Sequence, residues 1–189
     1  MMDIPFDVTD IRIETERLIL RPFEETDLAD FFAYASIPEV GEAAGWPHHK
    51  SIEDSRIILN DFFEKKEVLA MYHKADKRVI GSIGLHLSWT SKNDTFKHLP
   101  AKEVGYVLSK DYWGQGLTAE GVKAVIEYGF NTLGLTCFGL AHSPENAQSR
   151  RVAEKCGFVY SETGQFFSKL RQVYIDDIRH ILLKDLKWK

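Results

Sequence analysis

The sequence is poor in cysteine: only Cys137 and Cys156 occur among its 189 residues. Neither lies in a CxxC motif or in a Cys/His cluster with the spacing of metal ligands. A disulfide scaffold and a zinc site are therefore excluded. We interpret both cysteines as small core residues of a protein in a reducing compartment.

Excess positive charge and long apolar runs are also missing. Twenty-four Lys and Arg stand against 28 Asp and Glu, so the formal net charge is −4. This balance argues against nucleic acid and anionic membrane as partners. No run of eighteen uncharged apolar residues occurs, and the start lacks a basic segment followed by an apolar one, so we expect a soluble, cytoplasmic protein. No repeat interrupts the chain, which predicts a single domain over residues 1–189.

Apolar periodicity predicts an alternation of strands and helices. Strands are predicted at 16–21, 67–72, 79–89, 103–108, 136–141, 158–160 and 172–183, and helices at 24–34, 51–66, 117–133 and 146–156. The two stretches 36–50 and 90–99 are predicted as loops. Hairpins precede the single stretch in which strand, helix and strand alternate, so the pattern predicts an α/β (α+β) domain with a mixed, mostly antiparallel sheet.

The most informative segment is 103–121, EVGYVLSKDYWGQGLTAEG, which joins a strand, a glycine turn and a long helix. Such a turn can hold a pyrophosphate, because glycines let backbone N–H groups approach the oxygens and the helix start adds unpaired donors. The candidate donors are the backbone amides of Gly114, Gln115, Gly116, Leu117 and Thr118. A plain turn without a ligand is the alternative, and GxG alone favours it. A Walker loop and a dinucleotide fingerprint are both absent.

Three separated segments resemble the GCN5-related N-acetyltransferase (GNAT) superfamily. EVGYVLSKDYWGQGLTAEG resembles its acyl-CoA-binding motif, and NAQSRRVAEKCGF resembles the N-x-x-S-x-x-x-x-E-K-x-G-F segment of its RimJ/RimL branch. The opening TERLILRPFEETD also matches that branch. Because the segments occur in the family's order, the resemblance extends over about residues 11–186.

The resemblance implies a GNAT-like fold with helices on both faces of the sheet and acetyl-CoA as co-substrate, without a metal. Two neighbouring strands, 103–109 and 136–142, would splay apart and admit the pantetheine arm. The backbone implied to face the pantetheine and the thioester is that of Val107, Leu108 and Ser109. The amides of 114–118 would hold the pyrophosphate. Asp111 stands where the family usually has Gln or Arg, so the resemblance implies no side-chain contribution to phosphate binding there.

The implied reaction is direct attack of an amine on the thioester carbonyl, which needs a proton acceptor and stabilisation of an oxyanion. A backbone N–H near Leu108 is the candidate for the oxyanion. Glu103 resembles an acidic residue that many relatives keep, and it could accept the proton directly or through water. A solvated carboxylate on a half-exposed strand is the alternative for Glu103.

Asn146 and Ser149 resemble the pair that contacts the coenzyme in this branch, with the serine near the sulfur. An N-cap preference alone also produces Asn with Ser three residues later. Many relatives carry a tyrosine acid where this chain has Ala153. Ser149 or water must therefore protonate the departing thiolate.

No motif in the sequence identifies the acceptor amine. The branch resemblance implies a protein N-terminal α-amino group, as in ribosomal-protein acetylation. The alternatives are a small amine, such as a polyamine, an amino acid or an aminoglycoside, and a non-catalytic acyl-CoA-binding module. Trp46, His48 and His49 lie in the loop where the family's acceptor docks, although such loops are more often plain surface. His86 and Trp89 are interpreted as packing residues, and the oligomeric state is not predicted.

Overall fold

The computed structural model describes residues 6–168 and 172–185; the predicted domain span 1–189 and the resemblance over 11–186 extend outside these ranges. The strands are β1 (Ile13–Glu14), β2 (Leu18–Pro22), β3 (Val68–His73), β4 (Arg78–His86), β5 (Ala101–Leu108), β6 (Cys137–His142), β7 (Val159–Ser168) and β8 (Val173–Leu183). The helices are α1 (Leu28–Ala35), α2 (Pro38–Ala43), α3 (Ile52–Lys65), α4 (Leu117–Asn131) and α5 (Ala147–Lys155). None of the helices in the described ranges has the length and apolar character needed to span a membrane.

The strands form a mixed sheet in the order β1-β2-β3-β4-β5-β6-β8-β7. The pairs β1–β2, β2–β3, β3–β4, β6–β8 and β7–β8 are antiparallel. Strands β5 and β6 are parallel and are joined through helix α4, because a parallel pair needs a crossover connection. The predicted mixed, mostly antiparallel α/β fold is confirmed.

The chain divides into two compact units. The first unit comprises residues 6–84 and 106–121, and the described part of the second comprises 85–105, 122–168 and 172–185. In the first unit, helix α3 begins with a capping box: the Asp54 N–H donates to Ser51 Oγ (3.2 Å), and the Ser51 N–H donates to Asp54 Oδ2 (3.0 Å). An apolar cluster that includes Phe23, Phe31 and Leu59 forms its core.

The second unit buries the two cysteines, as predicted. Cys137 and Cys156 are free thiols, and burial raises the pKa of each to about 12, so both stay protonated at neutral pH. Gly129 packs so closely on Phe138 that a Cβ there would lie 2.4 Å from the ring. Trp89 is also buried, as predicted, whereas His86 is exposed, with its ring beside Gly105.

Several predicted boundaries are wrong. Residues 36–50 contain helix α2, because Pro38 begins a helix as its first residue. The connection 90–99 contains part of a short 3-10 helix, Trp89–Lys92, whose first turn is capped by Ser88. The strand predicted at 158–160 extends to Ser168, since its polar residues pair with β8 in a hairpin.

Candidate active site

The glycine turn lies in the first unit between β5 and α4. Gly114 and Gly116 both have φ of +79°, a conformation that residues with a Cβ rarely adopt, so the turn requires glycine at both positions. A Cβ at Gly114 would meet no heavy atom within 4 Å, and one at Gly116 would meet only Arg17, at 3.8 Å. The space beside both glycines is therefore open, and at the start of α4, which follows, the first N–H groups have no partner within the helix.

An ion pair supports this turn, and no local sequence pattern indicates it. The Arg17 guanidinium pairs with Glu120 Oε2 at 2.7 Å and donates a hydrogen bond to the Gln115 carbonyl oxygen at 2.9 Å. Burial opposes ionisation of Glu120, but hydrogen bonds from Thr15 and Arg17 prevail and lower its pKa. Arg17 thus connects the turn to the first helical turn of α4 and places a cation beside Gly116.

Replacing Glu120 by Gln tests this support. We expect the variant to lose about 1–3 kcal/mol of unfolding free energy, because a partly buried guanidinium loses its charged partner. Acetyl-CoA affinity should fall as well, since Arg17 would no longer fix the turn. Thermal melting and titration calorimetry measure the two effects, and Glu39→Gln, which breaks the exposed Lys110 pair, is the matched control. Unchanged stability and affinity would contradict the supporting role.

The parallel pairing of β5 with β6 involves the first residues of β5. The β5–β6 register runs from Ala101↔Cys137 to Glu103↔Gly139, whereas β6 pairs with β8 as far as His142. Further along β5, the Ser109 N–H donates to the Ile80 carbonyl oxygen (2.7 Å). Because successive N–H groups of a strand point to opposite edges, the Leu108 N–H points away from β4.

Two of the backbone groups predicted to face the thioester are already hydrogen-bonded within the protein. They are the Ser109 N–H and the Leu108 carbonyl oxygen, which accepts from Trp113 Nε1 at 2.9 Å. The direction of the Leu108 N–H fits the predicted oxyanion donor. That role stays a prediction, as does the contact of Val107 with the coenzyme.

Glu103 lies in the second unit and is half-buried. Its Oε2 accepts a hydrogen bond from the Trp89 N–H at 3.0 Å. Burial raises the pKa of Glu103, and the negative charge of Asp177 acts in the same direction, whereas the Trp89 N–H and Arg179 oppose the shift. A carboxylate held with a raised pKa is suited to accept a proton near neutral pH.

Asn146 and Ser149 form the beginning of α5. Asn146 is the N-cap, and its Oδ1 accepts a hydrogen bond from the Ser149 N–H at 2.9 Å. The capping alternative is therefore confirmed for Asn146. This bond uses the backbone N–H of Ser149, whose side chain is buried. Ala153 is fully buried one turn later.

Substitutions of these two residues should have different effects, one on stability and the other on the catalytic rate. Asn146→Ala should lower the unfolding free energy by about 1 kcal/mol, because the cap is lost. Ser149→Ala keeps the cap and should lower kcat with little change in acetyl-CoA affinity, since a hydroxyl near the sulfur acts only as the thiolate leaves. Melting temperature, affinity and kcat are measured on the same preparations. If Ser149→Ala keeps the wild-type kcat but melts at a lower temperature, the role of Ser149 is structural and not catalytic.

A pocket of about 620 Å³ lies in the first unit. It contains all three residues of the predicted acceptor loop, Trp46, His48 and His49, and it reaches Val107 of β5. His49 is buried, and its Nδ1 lies 2.7 Å from Ser55 Oγ. Burial lowers the pKa of His49, so its ring is neutral at pH 7. Glu103 is not among the residues that line this pocket.

The comparisons with known proteins agree with this geometry. Residues 17–159 match the family described as Acetyltransferase (GNAT) domain, and the chain belongs to this family. It is 33% identical over 151 residues to the Uncharacterized N-acetyltransferase YoaA of Bacillus subtilis (strain 168), covering 77% of this chain and 81% of that protein. The chain is an acetyl-CoA-dependent N-acetyltransferase.

Solved structures share the fold. An acetyltransferase (GNAT family) from Bacillus anthracis aligns with a TM-score of 0.77 and 24% identity, over 92% of this chain and 98% of that one. Ribosomal-protein-S5-alanine acetyltransferase from Vibrio fischeri aligns with a TM-score of 0.68 and 21% identity, over 95% and 100% of the two chains. Within residues 6–168 and 172–185, no three His, Cys, Asp or Glu side chains are placed to hold a metal.

Proposed function

We propose that the chain transfers the acetyl group of acetyl-CoA directly to a primary amine. The amine nitrogen forms a bond to the thioester carbonyl carbon, the C–S bond breaks, and the products are an N-acetyl amine and CoA. The nitrogen loses one proton and the CoA thiolate gains one. The observation that carries this proposal is the open turn with two positive-φ glycines at the start of α4, since it suits a pyrophosphate bound by backbone amides.

Each predicted site residue has one role in this proposal. The amides of 114–118 bind the pyrophosphate, and the backbone of 107–109 faces the pantetheine, with the Leu108 N–H as oxyanion donor. Glu103 accepts the proton of the amine, directly or through water. The Ser149 hydroxyl assists the departing thiolate, and Asn146 fixes the helix start on which Ser149 lies.

For the acceptor, we propose a protein N-terminal α-amino group, as the RimJ/RimL resemblance implies. The structural similarity to the ribosomal-protein-S5-alanine acetyltransferase is in keeping with this choice. A small-molecule amine is the second candidate, and the pocket at Val107, whose volume suits a small molecule, favours it. A non-catalytic acyl-CoA-binding module is the least supported hypothesis, because the named relative and the matched family are acetyltransferases.

A panel of amines and N-terminal peptides tests the proposal. Purified protein is incubated with acetyl-CoA and each acceptor, and free CoA and the acetylated product are quantified together by mass spectrometry. We expect equal amounts of CoA and N-acetyl product for at least one acceptor. Binding of acetyl-CoA with no acetylated amine across the panel would contradict catalysis.

A further inference from the structure

The pocket of the first unit has walls made mainly of aromatic and aliphatic side chains. Among its lining residues are the aromatic rings of Phe31, Trp46 and Phe62 and the aliphatic side chains of Ile57 and Val107. Its volume of about 620 Å³ falls within the usual range of small-molecule sites. The space therefore suits a ring or a similarly bulky apolar group better than an extended polar chain.

Ring contacts hold the aromatic wall in place. The Phe31 ring centroid lies 5.6 Å from that of Phe62 and 5.4 Å from that of Tyr34. His49 meets Phe31 edge-on at 5.4 Å and lies 5.2 Å from Trp46. Such tilted and edge-on pairs are the favoured arrangements of aromatic rings, so the wall is preorganised for an aromatic guest.

The pocket offers few partners for an ammonium group. Asp54 is the acidic residue among those that line it, and its Oδ2 already accepts hydrogen bonds from the N–H groups of Lys50 (2.9 Å) and Ser51 (3.0 Å). Lys50 itself brings positive charge to the lining. A polyamine or an aminoglycoside carries several ammonium groups, each of which needs a partner when it leaves water. The pocket does not provide such a set of partners.

Three further titratable residues line the pocket, namely His49, Tyr34 and His48. Their hydrogen bonds and charges are compatible with one bound amine. His49 is neutral at pH 7 because burial lowers its pKa, and the Tyr34 phenol stays protonated because burial raises its pKa. His48 is turned to Glu42, with Nδ1 at 2.9 Å from Oε1. A neutral imidazole can accept one hydrogen bond from an amine without repelling it.

We propose that the acceptor is a primary amine carrying an aromatic or bulky apolar group, and that this group binds among Phe31, Trp46 and Phe62. The proposal rests on the acetyl transfer proposed above and specifies its substrate class. Val107 lines the same pocket and belongs to the backbone segment assigned to the thioester, so this proposal directs the amine of the bound group toward that segment. The source is a small arylalkylamine or a peptide with an aromatic N-terminal residue.

Helix α3 offers a matched pair of variants. Ile57 lines the pocket and is 60% exposed, and Ile52, on the same helix, is 45% exposed and is not among the lining residues. Neither side chain belongs to the buried core, so both positions tolerate a carboxylate without unfolding. Ile57→Asp changes the chemistry of the pocket, and Ile52→Asp serves as the control.

The experiment compares phenethylamine, a Phe-N-terminal peptide, Ser- and Ala-N-terminal peptides and spermidine under identical conditions. We expect kcat/KM for phenethylamine or the Phe peptide to exceed that for the others by about tenfold or more, since burial of a ring adds more than 1.4 kcal/mol. Which of the two aromatic acceptors is preferred distinguishes a small-molecule source from a protein source. Ile57→Asp should raise KM for the preferred acceptor about tenfold, whereas Ile52→Asp should not.

The outcomes separate this inference from the proposed function. If spermidine or the Ser or Ala peptide is the best acceptor, acetyl transfer stands and the aromatic assignment is overturned. If Ile52→Asp and Ile57→Asp raise KM equally, the pocket is not where the acceptor binds. If no amine is acetylated although acetyl-CoA binds, the proposed function itself fails.

Discussion

Gly116→Asp should reduce acetyl-CoA affinity by about 100-fold or more while the protein stays folded. The substitution adds a negative charge within about 4 Å of the amides assigned to the pyrophosphate, where like charges cost several kcal/mol. It also places a side chain in the open space above the turn and imposes a positive φ on a residue with a Cβ. Titration calorimetry on protein of verified melting temperature measures the loss.

Two further variants separate charge from backbone strain. Gly116→Asn keeps the size and the φ requirement without the charge, so its loss of affinity should be clearly smaller. Gly134→Asp introduces the same charge at another positive-φ glycine (φ +70°) with open space around it, and it should bind acetyl-CoA as the wild type does. Near wild-type affinity in Gly116→Asp would remove the amides of 114–118 from the coenzyme site.

Glu103→Gln should lower the acetylation rate at neutral pH by roughly 10²-fold, because the amide cannot accept a proton. Acetyl-CoA affinity should persist, since the Gln side-chain oxygen can still accept the Trp89 N–H. Raising the pH should restore part of the rate as more of the amine becomes neutral. Initial rates between pH 6 and 10 give the comparison, and Glu162→Gln, which breaks an ion pair with Arg179, is the control.

Stability measurements provide an independent readout for Glu103. A raised carboxyl pKa means that the folded state binds the proton more tightly than the unfolded chain does. The stability contributed by Glu103 is therefore fully present below the ordinary pKa of Glu and is lost as the pH rises through the raised one. Glu103→Gln should be as stable as the wild type at neutral pH, or more stable. A less stable variant with an unchanged pH–rate profile would assign Glu103 to structure alone.

The local features of the fold could be predicted because each depends on neighbouring residues. The strand, glycine turn and helix of 103–121 follow from apolar spacing and two glycines, and the cap of α3 follows from Ser51 and Asp54. Helix α2 lies in the stretch 36–50, which was predicted as a loop, because Pro38 is compatible both with a loop and with the first residue of a helix.

The missing parts of the site depend on contacts between distant residues. Arg17 and Glu120 are 103 residues apart, so no local pattern pairs them. The Glu103 carboxylate accepts its hydrogen bond from the Trp89 N–H, 14 residues earlier in the chain, and strand alternation does not reveal this partner. The pocket combines residues from α1, α3, the 46–50 loop, β4 and β5, whose association only the folded chain shows.

The central claim is direct transfer of the acetyl group between acetyl-CoA and an amine. The most direct measurement is a single-turnover reaction with enzyme in excess over acetyl-labelled acetyl-CoA, quenched with and without an accepted amine. With the amine present, we expect the label to pass from acetyl-CoA to the amine, with one CoA released for each N-acetyl product. Without an amine, the label should stay on acetyl-CoA. Label bound covalently to the protein, or CoA released without N-acetyl product, would contradict it.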